Sequence, residues 1–324
     1  MSDILIIDQA WDNNFKDIAG KYTILKYTND SFGDIIKEVM SSSEDYASLT
    51  VITDYHPELP DFLDKSPQKD NNYLIKVEPV PFTHPFCHFS GPFFFSILWL
   101  LNNYAIFSMY SYMISIPRKI LLNQEISGIL KDVRTPGAFG VGMFALSVKK
   151  KIPVRKHTLP PYRNPHTLYE VLKNEFIHTT AVLMKLLEIR SGDKDTTKIS
   201  FPFFDNPDDK IRVPGHTFLL REFITGFRKY APFWKEHLSE DHFALLSEIY
   251  SGKEDLTIDD RTWIRIMLEL INVSFRFDDK AKIARRIFPV YALYLKSIHK
   301  TSIRERLSNY SEILKEESKF LSIF

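Results

Sequence analysis

Two short apolar runs end in groups that could do chemistry together. DILIID closes on Asp8, and SLTVIT is followed directly by Asp54, with His56 two positions on. Carboxylates are ligands for Mg2+ and Mn2+, and Mn2+ also accepts imidazole. Asp54 and His56 could therefore reach one ion if the chain turns before Pro57. The plainer reading is that Asp54 caps that turn and His56 lies at the surface. Residues 149–164 form a basic stretch with Lys149, Lys150, Lys151, Arg155, Lys156, His157 and Arg163. It could meet a diphosphate or an acidic small molecule, or be a solvated face.

Glycines mark a second region. RTPGAFGVGMFALSV holds Gly137, Gly140 and Gly142 within six residues. Such positions permit a close backbone approach, either to a ligand or to a packed neighbour. In HPFCH, His84 and His88 flank Cys87, a spacing that can bind a transition metal and is more often structural. Cys87 is the single cysteine, so an internal disulfide and a Cys-rich zinc site are excluded. There is no GxxxxGK[ST] loop, no HExxH pair and no GxSxG elbow, which argues against P-loop NTPases, zincins and α/β-hydrolases.

These groups must be held by elements, and the pattern supplies them. DILIID, YTILKY and SLTVIT read as strands, with a short helix over 13–20 and a helix ending at Met40 between them. Strand, helix, strand, helix, strand is the pattern of an α/β sheet, whose ligands sit at the carboxyl ends of strands. Residues 143–148 read as a strand or a helix start, and 149–164 as a loop. A long helix begins at Thr167, with Leu168, Leu172, Phe176, Leu183 and Leu187 on one stripe. Residues 191–214 read as a linker, and the remainder as helices over 217–230, 240–250, 259–275, 279–299 and 303–321.

Composition bounds the partners. The 324 residues are 44% hydrophobic and 26% charged, with a net charge of +1. That balance gives no electrostatic reason to expect nucleic acid as a partner. The N-terminus lacks the pattern of a secretory signal, so a cytoplasmic chain is expected. Between Glu78 and Arg118 there is no charged residue, and 93–116 is long enough to span a bilayer. Asn102 and Asn103 interrupt it. A buried or interface helix, an in-plane membrane contact and a true span are all open readings, so membrane association or a protein contact through 93–116 is open too, as is a homo-oligomer.

Residues 4–59 resemble glycosyltransferases of the GT-A fold. IIDQAWDNNFKDIA looks like that family's second strand with its Asp, and NDSFGDIIKEVM like the following glycine and helix. Asp54-Tyr55-His56 stands where the family has Asp-any-Asp. The C-terminal half, with Trp263, IFPVYALYLKSI and a tail ending in KFLSIF, is similar to the mannosylglycerate and glucosylglycerate synthases. PGAFGVGMFAL, Lys156-His157 and HTLYEVLKNEF follow their order. The resemblance implies a Rossmann-like GT-A domain over 1–165, with its first strand missing, and a helical domain over 166–324. It implies transfer of a hexose from a nucleotide sugar to a glycerate-like hydroxy acid or a lipid-linked acceptor. Asp8, Gly33, Asp54, Gly137 and Lys156 would contact the nucleotide sugar. Asp54, His56 and His157 would hold Mn2+ or Mg2+. The chain departs from the family in having His56 for the second Asp and no Lys after the glycine turn near Gly33. The alternative is a non-catalytic, glycosyltransferase-like binding or assembly subunit.

Overall fold

The computed structural model describes residues 2–28, 32–42, 46–65, 73–79, 93, 111–130, 133–160, 169–188, 215–252, 257–298, 301, 309–310, 312–314 and 316–317. Contacts divide the chain into two compact units, Met1–Cys87 with Ser108–Thr167, and His88–Phe107 with Leu168–Phe324.

The first unit is α/β. Its strands are β1 (Ser2–Asp8), β2 (Tyr22–Tyr27), β3 (Tyr46–Ile52), β4 (Leu74–Pro79), β5 (Met113–Pro117) and β6 (Val154–Leu159). They form one mixed sheet in the order β2-β1-β3-β5-β4-β6. β1 runs parallel to β2 and β3, β4 runs parallel to β6, and β5 is antiparallel to β3 and β4. All strands except β5 thus point one way, and their carboxyl ends share one edge.

β1 is apolar without alternation because both of its faces are covered, as parallel strands require. Leu5 and Ile7 join Phe15, Ile18, Ile52, Leu59 and Leu63 in the core on one face. That face is packed by a 3-10 helix (Gln9–Ile18) and α2 (Leu59–Lys65). The unit also contains α1 (Phe32–Ser41), α3 (Arg118–Leu121), α4 (Gln124–Leu130) and α5 (Pro136–Lys149). Because β1 is paired along both edges, a further strand would have to add at β2 or β6.

Three expectations change. Residues 143–148 lie inside α5, which is apolar around its whole circumference because Phe139, Val141, Met143, Phe144 and Leu146 are all buried. The basic stretch expected as a loop contains β6, a strand at the end of the sheet whose Arg155, Lys156, His157 and Thr158 stay exposed. Edge strands tolerate such charge, and it blunts pairing with other chains. The apolar stretch 93–116 does not run to its end as one helix, since Met113–Pro117 is the fully buried strand β5. Residues 94–110 and the 191–214 linker lie outside the described residues, as do His84, Cys87 and His88. Among the described residues, no helix is long and apolar enough to cross a membrane.

The second unit is helical: α6 (Tyr169–Glu188), α7 (His216–His237), α8 (Glu240–Tyr250), α9 (Asp260–Ser274) and α10 (Lys280–Ile298). α10 packs against α6, α7 and α9, and Ile287–Leu295 is buried throughout. Phe93 belongs to this unit, with its ring 4.9 Å from Phe176, 5.5 Å from Tyr291 and 6.0 Å from Trp263. α7 continues past Tyr230 and through Pro232.

Candidate functional site

Strand order locates the place to look. From β1 the chain moves to β2 on one side, then crosses back to β3 on the other. In open α/β sheets such a reversal opens a crevice beyond the carboxyl ends of the two diverging strands. Those strands are β1 and β3, and the residues at their ends are Asp8 and Asp54.

Asp8 is the N-cap of the 3-10 helix, its carboxylate accepting from the Ala10 amide at 2.8 Å. Asp54 is 7% exposed. Its carboxylate accepts from the Tyr55 amide at 2.8 Å, and its own amide donates to the Tyr112 carbonyl at 3.3 Å. These bonds tie the end of β3 to the start of β5. Trp11 and Tyr55, both half-buried, follow the two aspartates with ring centroids 6.2 Å apart. The two strand ends thus carry carboxylate acceptors, with the Trp11 and Tyr55 rings beside them packed against the core of the sheet.

His56 is not a surface residue, being 2% exposed. Its Nδ1 accepts from the Glu58 amide at 3.2 Å, so the proton sits on Nε2, which donates to the Pro160 carbonyl at 3.1 Å. The ring packs on Tyr112 with centroids 4.9 Å apart. In this tautomer neither nitrogen holds a lone pair for an ion. His157 lies on β6, its ring edge-on to Phe62 at 4.9 Å. Among the described residues no three His, Cys, Asp or Glu side chains are grouped to hold a metal, so Asp54, His56 and His157 are not brought together as one ligand set.

Lys156 and His157 are neighbours on β6 and therefore project to opposite faces of the sheet. Lys156 lies over the Phe144 ring of α5 at 5.0 Å, on the face away from His157 and Phe62. One diphosphate cannot engage both.

Gly33 and Gly140 stand where a side chain would collide with a packed neighbour. A Cβ on Gly33 would stand 2.8 Å from the Val133 carbonyl oxygen and 3.0 Å from Arg134 Nη1. A Cβ on Gly140 would stand 2.7 Å from Ser111 Oγ and 3.3 Å from Thr53 Cγ2. Gly137 is buried in the first turn of α5. Gly33 opens α1 just after the carboxyl end of β2, and Gly140 rests on the carboxyl end of β3. The start of α5 is thereby drawn to the same edge as the aspartates, with the exposed Arg134 just before it. Sequence reading missed Arg134, because only the Gly33 and Gly140 contacts bring it to this edge.

A separate groove lies on the α2 face at the β4–β6 end of the sheet, with a volume of about 580 Å3. Its floor is Tyr73, Ile75 and Leu159. Glu58, Asp61, Phe62 and Lys65 wall it from the α2 side, and Arg155 and His157 from β6. Arg155 lies over the Tyr73 ring, its Cζ 3.8 Å from the centroid, and donates to the Tyr73 hydroxyl at 2.6 Å. Compared with known proteins, the sequence matches no protein-family model and no curated protein.

Proposed function

We propose that the first unit is a GT-A-like domain that binds a nucleotide sugar in the crevice beyond β1 and β3, and that the chain transfers a hexose to a hydroxyl acceptor. The observation that carries this reading is the reversal of strand order between β1 and β3, with Asp8 and Asp54 at their carboxyl ends. Asp8 accepts hydrogen bonds from base or ribose, and the Trp11–Tyr55 pair offers an apolar face to the base. Glycosyl transfer leaves a diphosphate whose growing charge must be stabilised. Arg134, exposed at the same edge, is the residue we assign to that charge. The glycerate-like or lipid-linked acceptor belongs to the same proposal, as does a cytoplasmic location.

A divalent cation, Mn2+ or Mg2+, belongs to this proposal through Asp54 alone. Magnesium is commonly held by one or two carboxylates plus substrate phosphates. His56 as placed does not fit the ligand role, because both of its nitrogens are spent on the backbone. That same observation favours the second reading, a non-catalytic glycosyltransferase-like subunit that binds without turnover.

Thermal unfolding of the purified chain with UDP-, GDP- and ADP-sugars, with and without Mn2+, tests the binding. A ligand at a hundredfold excess over its dissociation constant stabilises the folded state by about 2.7 kcal/mol. Asp54→Ala and Arg134→Ala are expected to remove that shift and the transfer activity. A shift without turnover of any sugar supports the subunit reading. No shift with any nucleotide sugar overturns both.

A further inference from the structure

We propose that the groove between α2 and β6 is a binding site for a neutral saccharide, separate from the crevice at Asp8 and Asp54. The volume of about 580 Å3 lies within the range of small-molecule sites, roughly 300–1,000 Å3. The charge on its walls is balanced: two carboxylates, Glu58 and Asp61, against two permanent cations, Lys65 and Arg155, with Lys65 paired to Asp61 at 3.5 Å at the exposed rim. An anion would meet the carboxylates, and a cation would meet Lys65 and Arg155. Ionised carboxylates only accept hydrogen bonds and guanidinium or ammonium groups only donate them. A ligand that satisfies both walls must donate and accept along its length without net charge, which a run of hydroxyls does. The aliphatic ring faces of a sugar suit the Phe62 ring and the apolar floor of Ile75 and Leu159.

Arg155 is fixed before any ligand arrives. Its guanidinium lies on Tyr73 and is bonded to the Tyr73 hydroxyl. A donor held in place loses little rotamer freedom on binding. An extended peptide is the weaker candidate. β6 ends the sheet, so a peptide would pair along its outer edge rather than lie on its face.

Saccharide binding here stands apart from the transferase reading and is expected whether or not the crevice turns over a donor. Maltotriose, cellotriose, mannotriose and chitotriose are titrated into the full chain by calorimetry and saturation-transfer NMR. At least one is expected to bind, with affinity unchanged in Asp54→Asn. Phe62→Ala and Arg155→Gln are each expected to weaken it at least tenfold. Should Phe62→Ala unfold, the exposed His157→Ala replaces it, with a smaller loss expected. The proposal is overturned if none of the four binds, if binding survives the groove substitutions, or if only Asp54→Asn abolishes it. It is equally overturned if inorganic phosphate, tri-galacturonate or a neutral tripeptide binds the groove more tightly than every neutral sugar.

Discussion

His56 and Asp54 are two positions apart and have opposite fates. Asp54 holds the neighbouring Tyr55 amide at the end of β3, whereas His56 turns inward, accepting from the Glu58 amide and donating to the Pro160 carbonyl. Removing the buried imidazole loses two hydrogen bonds, each a net contribution of about 0.5–1.5 kcal/mol, a cost of about 1–3 kcal/mol in all. His56→Ala should therefore lower the denaturant midpoint by that amount, whether or not metal is present. A variant of unchanged stability that has lost a Mn2+ effect would make His56 a ligand instead. Lys76 and Glu78 pose a similar problem at the far side of β5. Their ion pair of 2.7 Å is buried, with side-chain exposures of 0% and 8%, and Lys76 also lies over Phe144 at 4.1 Å. Lys76→Met alone strands a buried carboxylate and should cost about 3–5 kcal/mol, while Lys76→Met with Glu78→Leu should recover most of it. Equilibrium unfolding of the three proteins distinguishes these outcomes.

Elements meet at glycines. A Cβ on Gly226 of α7 would stand 2.2 Å from Pro289 Cβ and 2.3 Å from its Cγ. Both are buried in the α7–α10 contact, so neither helix can yield without opening the core. Gly226→Ala should destabilise the helical unit by about 1–3 kcal/mol, despite the better helix propensity of alanine. Circular dichroism melting measures this, and an unchanged or raised Tm would show that the helices do not cross this closely. The same packing logic applies to Gly140 against Thr53 and Ser111, where the consequence is functional. Pushing α5 away moves Arg134 from the edge, so Gly140→Ala should weaken nucleotide-sugar binding more than it lowers stability.

At the scale of the molecule, both units bury tyrosines whose hydroxyls burial raises above the ordinary 10.0, Tyr46 of β3 in the sheet unit and, shifted further, two in the helical unit. Tyr291 and Tyr294 are buried in the helical unit, and desolvation pushes both hydroxyls well above the ordinary 10.0. Tyr294 also donates to Asp260 at 2.7 Å and accepts from Tyr310. The folded state holds these protons more tightly than the unfolded state does. Their contribution to stability is therefore full below pH 10.0 and is lost as pH rises above it. Alkaline titration should unfold the helical unit first, read by Trp234 and Trp263, which are buried there, while Trp11 reports on the sheet unit. Tyr291→Phe with Tyr294→Phe should flatten the pH dependence. Loss of both units at one pH would show that they do not titrate independently.

How much of this was legible depends on how local the cause is. β1, β2, β3 and the helices from α6 to α10 were readable, because their apolar periodicity is imposed by burial on one or both faces. Asp8 and Asp54 were readable as strand ends for the same reason. β4 and β6 escaped notice, because Lys76 is neutralised by a partner in the fold and β6 is exposed at the sheet's end, so neither carries the apolar signal of a strand. β5 hid inside a long apolar stretch, where a buried strand and a buried helix look alike. The strand order, the neighbours of Gly33 and Gly140, the inward turn of His56 and the opposite facing of Lys156 and His157 were decided only by the tertiary structure. Each depends on contacts between residues far apart in the chain, and no local pattern encodes which of several apolar surfaces a segment will meet.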